Sequence, residues 1–248
     1  MSDRHPSSWP LVEGPHDPEH DPTASYALDR SDVRRLTERL VATSGETAEL
    51  RSPIGDQPLA HIPQSSEADV QEAFRRARRA QEAWARTSID TRAAALLRLH
   101  DLVLDRQEEI IDLICLESGK ARKHAFDEPL HIALTARYYG RTAHQHLDTR
   151  RVRGVFPLLT RVEINREPKG VVGIISPWNY PFTMAVCDGL PALLAGNAVV
   201  IKPDAQTMLS ALLAAELLEE AGFPENLWQV VGQIPPIGQA LRKPNGAD

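Results

Sequence analysis

Two short apolar runs, joined by a segment of helical length, constrain the fold of this chain most strongly. The runs, residues 171–175 and 198–201, are rich in β-branched side chains and lack polar alternation. Such runs are typical of strands that are buried on both faces of a parallel sheet. Residues 182–194 are long enough for one crossover helix, and Gly196-Asn197 provides a stop signal. The pattern therefore predicts a βαβ unit.

This unit continues into a second helix and a third strand. Residues 205–220 form an apolar helical pattern that places three glutamates on its exposed face, Glu216, Glu219 and Glu220, and Gly222 with Pro224 ends it. Residues 228–231 predict the third strand. The order β, α, β, α, β predicts an α/β fold with a Rossmann-like, doubly wound parallel sheet.

Ligands bind such sheets at the carboxyl ends of the strands, which makes the segments after the strands the candidates for a site. These segments are residues 176–181, 202–205 and 232–238. The phosphate-binding pattern G-x-G-x-x-G is absent, and two prolines in 232–238 remove backbone donors that a phosphate would need. The spacing alone leaves a dinucleotide site and a sheet without a nucleotide both open.

Two motifs at these positions carry a family resemblance. Residues 177–181 spell P-W-N-Y-P, and Lys202-Pro203 follows 23 positions after the asparagine. In content and spacing the pair resembles that of the aldehyde dehydrogenase superfamily, and the surrounding chain resembles the succinate-semialdehyde branch. The resemblance spans roughly residues 45–230. It implies oxidation of an aldehyde, here succinate semialdehyde, to the carboxylic acid with a nicotinamide cofactor.

The resemblance also assigns roles to residues. Asn179 corresponds to the catalytic asparagine, whose amide donates to the oxygen of the thiohemiacetal that forms when a cysteine thiolate attacks the aldehyde. A simple turn residue before Tyr180-Pro181 is the alternative interpretation of Asn179. The resemblance implies a substrate tunnel at Tyr180 and Met184. It implies a cofactor groove at Ile175, Ser176, Pro177, Trp178, Asn179, Lys202, Pro203, Asp204 and Ala205.

The cofactor implied is NADP, with NAD as the alternative. Lys202 corresponds to a lysine that hydrogen-bonds the adenosine ribose, and a lysine can also pair with a 2′-phosphate. Three residues further on, NAD-preferring relatives carry a glutamate that binds the ribose hydroxyls and would repel such a phosphate. This chain has Ala205 there. The missing carboxylate favours NADP or dual use, while the neighbouring Asp204 adds a charge whose effect stays open.

The chain departs from the family pattern in its catalytic residues. The family's general-base glutamate lies in an E-L-G-G segment and its nucleophilic cysteine in a G-Q-x-C segment, and neither segment occurs here. Cys115 and Cys187 lie in apolar helical surroundings and are predicted to be unreactive. We therefore expect an amino-terminal half that lacks the catalytic domain and is inactive alone, either a natural truncation or a fragment. The alternative is a non-catalytic module for nucleotide binding or subunit association.

The upstream segments complete the predicted organisation. Residues 1–30, rich in proline, histidine and acids, predict a disordered leader that is neither a signal nor a transit peptide. Residues 31–150 predict a helical part, described below by its helices. Residues 151–167 predict an exposed hairpin arm, which in the family pairs subunits and so implies a homo-oligomer. Residues 168–248 predict the incomplete βαβαβ unit.

The helical part has clear local signals. Residues 31–44 predict a short amphipathic helix, and residues 54–63 resemble the short hairpin near the family's start. Ser66 with Asp69 predicts the capping box of the next helix. One further helix with an apolar stripe from Leu96 to Leu113 is predicted to end at Gly119, and a last one covers residues 126–147.

Composition argues against several other partners. The formal net charge is −6, so the arginine cluster within residues 75–79 is better explained as a solvated helix surface than as a nucleic-acid contact. His144 and His146 face different sides of a helix, and no metal is predicted. No segment reaches the about 18 apolar residues of a membrane span. Two isolated cysteines are consistent with a reducing cytoplasm.

Overall fold

The computed structural model describes residues 30–54, 58–156 and 159–232. The leader predicted over residues 1–30 lies outside this part except for Arg30, as do the predictions on residues 233–248. None of the helices in the described ranges combines the length and apolar character that crossing a bilayer would require.

The amino-terminal helix is shorter than predicted. Helix α1 covers Arg30–Thr37, whereas the apolar pattern predicted a helix over 31–44. Beyond α1, Leu40 forms a parallel bridge with Val230, and the Val41 amide donates to the Val230 carbonyl at 3.0 Å. Pairing with the sheet therefore replaces the last turns of the helix. An antiparallel hairpin follows, with β1 at Thr47–Arg51 and β2 at Pro58–Pro63, and β1 was not predicted.

The helical part begins as its capping signals predict. Helix α2 covers Glu67–Trp84 and starts with the predicted capping box between Ser66 and Asp69. The next predicted helix is divided into α3, Ile89–Asp105, and α4, Gln107–Ser118. The single helix was a wrong prediction, because Arg106 leaves the helical conformation at φ −104°. There its guanidinium pairs with Glu109, Glu216 and Glu220.

The predicted stop at Gly119 is confirmed, with φ +70° in the left-handed region that glycine tolerates best. A short helix α5, Arg122–Ala125, leads into α6, Asp127–Leu147. The hairpin arm consists of β3, Arg150–Val152, and β4, Val162–Ile164, which pair antiparallel and are exposed along their whole length.

The parallel sheet holds three strands within the described residues. They are β5, Val171–Ile175, β6, Ala198–Lys202, and β7, Trp228–Val230, in the order β5-β6-β7. Helix α9, Met208–Glu220, connects β6 to β7 after a 3₁₀ turn at Ala205–Thr207. Residues 198–201 of the central strand are completely buried. The α/β class with a parallel sheet is thereby confirmed.

The crossover between β5 and β6 is two helices, not the single one predicted. Helix α7 covers Pro181–Val186 and α8 covers Gly189–Leu194. Pro191 explains the break, since proline has no amide to bond the carbonyl four residues earlier, which belongs to Cys187. The end of α8 is held from outside, because the side chains of Trp84 and Arg92 donate to the carbonyls of Leu193 and Leu194 at 2.8 and 2.7 Å.

Helix α9 is buried on nearly all sides, contrary to the prediction of an exposed face that includes Glu216. Glu216 is only 8% exposed and accepts hydrogen bonds from Arg35 and Arg106. Burial opposes ionisation of this carboxyl, but the two guanidinium groups outweigh it and hold the pKa of Glu216 below its usual range. The arginines come from α1 and from the α3–α4 bend, so these ion pairs join three parts of the helical layer.

Candidate active site

The two motif loops leave the sheet side by side. Ile175, the last residue of β5, pairs in register with Lys202, the last residue of β6. The Ser176 amide donates to the Lys202 carbonyl at 3.2 Å, which extends the pairing one residue into the loop. Parallel pairing therefore brings the P-W-N-Y-P segment next to the K-P-D-A segment at the carboxyl edge of the sheet.

The first loop exposes three consecutive side chains. Trp178 is 55% exposed, Tyr180 is 46% exposed, and Asn179 between them is exposed as well. No hydrogen bond within the described residues engages the Asn179 side-chain amide, so its donor is available to a ligand. Pro177 is also exposed, whereas Ser176 is buried. Asn179 therefore lies on an exposed loop that follows the end of β5.

Helix α7 begins directly after this loop. Of the candidate tunnel residues, Tyr180 immediately precedes the helix and Met184 lies on it. Pro181 occupies its first turn, where the missing amide costs nothing. The Met184 amide donates to the Tyr180 carbonyl at 2.8 Å. Tyr180 and Met184 are thus one helical turn apart and lie on the same side of the segment, and both are exposed.

A buried carboxylate holds the start of α7. Glu128, on the first turn of α6, has no exposed surface and accepts the amides of Phe182 and Thr183 at 2.9 and 3.0 Å through one carboxylate oxygen. Its other oxygen pairs with the ammonium of Lys120. That ammonium also lies 4.1 Å from the centre of the Tyr180 ring, a cation–π distance.

The second loop combines a half-buried cation with an acid that is already engaged. Burial lowers the pKa of Lys202, and the charge of Asp204 opposes this effect. Asp204 caps the following 3₁₀ turn by accepting the Gln206 amide at 3.0 Å. Pro203 is buried, and Ala205 is exposed. The sequence left open what the charge of Asp204 does. In the structure part of that charge is engaged by the backbone amide of Gln206.

A second buried carboxylate holds the start of α9. Glu117 accepts the amides of Leu209 and Ser210 at 2.6 and 2.8 Å, and the Ser210 hydroxyl at 2.6 Å. Burial raises the pKa of Glu117 to about 7, against the opposing hydrogen bonds from Ser210 and Leu209. The helix that follows the K-P-D-A segment is thus anchored by an acid on α4.

Sequence reasoning missed the roles of Glu117, Lys120 and Glu128. The first two belong to an E-S-G-K segment that resembles the family's E-x-G-K. One signal was available, since Glu117 follows the apolar run 113–116 and an acid there needs a buried partner. Nothing local to Glu128 indicates its contact with α7, which lies more than 50 positions away.

Neither cysteine is prepared for nucleophilic attack. Cys115 is buried on α4, and burial raises the pKa of its thiol to about 11. Cys187 follows the last residue of α7 at the helix break, and its pKa is raised by burial and by the neighbouring Asp188. A thiolate nucleophile needs the opposite shift.

The residues of the two loops fit a nicotinamide dinucleotide. The Ser176 hydroxyl is buried and has no hydrogen-bond partner among the described residues. It can therefore still form a hydrogen bond with a polar group of a ligand. Lys202 supplies a cation at the end of the adjacent strand, and Trp178 supplies an exposed aromatic surface. Of the third candidate segment, 232–238, only Gly232 lies in the described part.

The parallel sheet places both motif loops at its carboxyl edge, which makes the chain an α/β protein of the class whose ligand sites lie at the strand ends. The chain belongs to the aldehyde dehydrogenase family, because the family model described by that name matches residues 40–247.

Similar proteins agree with this family. A Mycolicibacterium smegmatis protein, provisionally named an NADP-dependent succinate-semialdehyde dehydrogenase, is 44% identical over 220 residues, which cover 87% of this chain and 42% of that protein. The crystal structure of succinate-semialdehyde dehydrogenase from Burkholderia pseudomallei matches with a TM-score of 0.76 and 30% identity, over 81% of this chain and 42% of that one.

An NAD-dependent benzaldehyde dehydrogenase from Corynebacterium glutamicum matches with a TM-score of 0.75 and 31% identity, over 82% of this chain and 44% of that one. The chain therefore spans less than half the length of these relatives.

Glu117 gives the site a pH-dependent anchor, which the variant Glu117→Gln tests. Because the folded-state pKa of Glu117 lies above its ordinary value of 4.5, its contribution to stability is complete below that value and is lost as the pH rises through about 7. We expect the stability advantage of the wild type over Glu117→Gln to shrink by on the order of 3 kcal/mol between pH 5 and pH 8. Urea unfolding at several pH values measures it.

Glu108→Gln is the matched control, since that side chain lies on the same helix and is 73% exposed. Its effect on the free energy of unfolding should be small, because this carboxylate forms only an exposed ion pair with Arg122. An advantage of the wild type over Glu117→Gln that grows with pH would contradict the assignment.

Proposed function

We propose that this chain supplies the cofactor-binding part of an NADP-dependent dehydrogenase that oxidises succinate semialdehyde to the acid. The observation that carries the proposal is the register of Ile175 with Lys202, since it brings both family motifs to one edge of the sheet. The named activity of the Mycolicibacterium smegmatis relative supports the substrate and the cofactor. The proposed units are a helical part, the arm over 151–167 and the βαβαβ unit from residue 168.

Each loop has a separate task in this proposal. Asn179 donates its amide hydrogen to the substrate oxygen as negative charge develops there, and Tyr180 and Met184 border the path of the aldehyde. Lys202 binds the adenosine end of the cofactor. Ala205 is small and uncharged, so it leaves space for a 2′-phosphate and does not repel it. A bound nicotinamide would supply the acceptor for the hydride that leaves the substrate. Ser176, with its unpartnered hydroxyl, is positioned to bind a polar group of the cofactor.

The remaining chemistry requires groups that this sequence does not contain. The attack on the aldehyde needs a thiolate, and burial disfavours the thiolate form of both Cys115 and Cys187. Release of the acid needs a general base that activates water. The proposed division of labour is that this chain provides the oxyanion donor and part of the cofactor groove, while the nucleophile and the base come from the family's other half.

Cofactor choice is tested by the variant Ala205→Glu. A carboxylate at this exposed position should repel a 2′-phosphate and accept hydrogen bonds from ribose hydroxyls. We expect NADP+ binding to weaken by about 10-fold or more and NAD+ binding to strengthen. Isothermal titration of the purified chain with each nucleotide measures both affinities.

Gln206→Glu is the control, because it adds the same charge at the next exposed position. Equal losses of NADP+ affinity in the two variants would show a general charge effect and would contradict the specific role of position 205.

The oxyanion role is tested by Asn179→Ala in a reconstituted assay. The chain is mixed with the carboxyl-terminal part of the Mycolicibacterium smegmatis relative, as the source of the family's cysteine and glutamate, and NADPH formation from succinate semialdehyde is followed at about 340 nm. We expect no turnover from the chain alone, and a kcat about 100- to 1,000-fold lower for the variant in the mixture.

Asn165→Ala, on the exposed arm, is the matched control and should retain the wild-type rate. A mixture containing Asn179→Ala that turns over as fast as the wild type would refute the assignment of the oxyanion donor.

A subunit-association role for the arm is favoured by its exposed apolar side chains. Val155 and Leu159 are 87% and 86% exposed, which is unusual for two neighbouring aliphatic residues. In this proposal the arm pairs with a second copy of the chain. The variant Val155→Ser, Leu159→Ser should shift the chain toward the monomer in sedimentation velocity, and an unchanged distribution would count against the arm.

A further inference from the structure

Three side chains connect the end of the P-W-N-Y segment to the helical layer. Glu128 is fully buried and binds two amides at the start of α7. Lys120 pairs with the same carboxylate and lies over the Tyr180 ring at 4.1 Å. One ammonium group therefore contacts both the residue after Asn179 and the acid that holds the helix after it.

The other end of the loop is fixed by the sheet. Ser176 is bonded through its amide to the Lys202 carbonyl, so the backbone is held on both sides of residues 177–179. Three residues then span two fixed points, which restricts the positions that the exposed Asn179 amide can take. The restriction matters, because an oxyanion donor contributes to the rate only when it is held where the charge will develop.

We propose that Lys120 and Glu128 are positioning residues for Asn179, acting through Tyr180 and the first turn of α7. This inference rests on the proposed role of Asn179 as oxyanion donor. Neither residue is expected to touch substrate or cofactor. Their contribution is to keep the loop in one conformation before the substrate arrives, so that little reorganisation accompanies the reaction.

If Lys120 and Glu128 have only a structural role, the expected result is different. If Glu128 only satisfied two amides in the core, removal of the Lys120 charge would lower overall stability without selectively loosening the loop. Lys120→Met keeps the apolar stem and removes both charge contacts, whereas Lys120→Arg keeps a cation that can pair with Glu128 and stack on Tyr180. We call the contacts among Lys120, Glu128 and Tyr180 the brace. If Lys120→Arg restores the order of the loop, the positive charge holds it; if it does not, the packing of the lysine stem does.

Hydrogen–deuterium exchange of the whole chain tests the proposal without requiring turnover. In Lys120→Met we expect the amides of residues 182–186 to exchange about 10-fold faster than in the wild type, because those of Phe182 and Thr183 are bonded to Glu128. Lys120→Arg should restore most of the protection, and the control Lys123→Met, at an exposed position of α5, should change nothing. The first turn of α9, which Glu117 holds, serves as an internal reference and should be unaffected.

Unchanged exchange over 182–186 in Lys120→Met would overturn the proposal, as would an equal increase in the first turn of α9. Should Lys120→Met fail to fold, Tyr180→Leu removes the ring and keeps the Lys120–Glu128 pair. It should accelerate exchange of the Met184 amide, which donates to the Tyr180 carbonyl, and leave Thr183 protected. A wild-type exchange rate at Met184 would overturn the ring's part in the brace.

The reconstituted assay separates failure of this inference from failure of the proposed function. If the brace positions Asn179, Lys120→Met lowers kcat while KM for NADP+ stays within about 2-fold, and arginine restores kcat. Faster loop exchange together with a wild-type rate for Asn179→Ala would mean that the brace exists and the oxyanion assignment is wrong. The opposite result is a low kcat for Asn179→Ala together with wild-type exchange and kcat for Lys120→Met. It would mean that the oxyanion assignment is right and that the brace does not exist.

Discussion

Burial of the central strand on both faces is the constraint on which the rest of this structure depends. Residues 198–201 have no exposed surface, and β6 hydrogen-bonds to β5 on one side and β7 on the other. Helices α2 and α8 pack against it. Since the β5–β6 register also fixes where both motif loops leave the sheet, the same apolar strand that forms the core brings the loop that carries Asn179 next to Lys202.

The two loops are then secured in the same chemical manner. In each case a buried carboxylate from the helical layer accepts backbone amides at the start of the helix that follows the loop, Glu128 for α7 and Glu117 for α9. Helix starts leave amides unpaired and carry partial positive charge, so an acid is the natural partner there. Glu117 and Lys120 come from one short segment, E-S-G-K, which therefore serves both halves of the candidate site.

Local signals predicted what local interactions determine. The strands of the parallel sheet, the Ser66 capping box and the Gly119 stop follow from side chains that lie within a few residues of each other. Long-range contacts decided the rest. Pairing of Leu40 with Val230 ended α1 early, and Arg35 brought Glu216 into the interior across 181 positions. The contacts that hold the start of α7 could not be predicted from the sequence either. Lys120, Glu128 and residues 182–183 meet only in the folded chain.

The break between α7 and α8 has a further consequence. An added Cβ at Gly189 would lie 2.3 Å from the Trp228 ring, so the indole rests directly on bare backbone. That contact acts as a spacer that sets how closely the crossover approaches β7. Positions 189 and 228 should therefore change together over evolution, with a larger residue at one accompanied by a smaller residue at the other. A saturation library at 189 alone should return almost nothing but glycine.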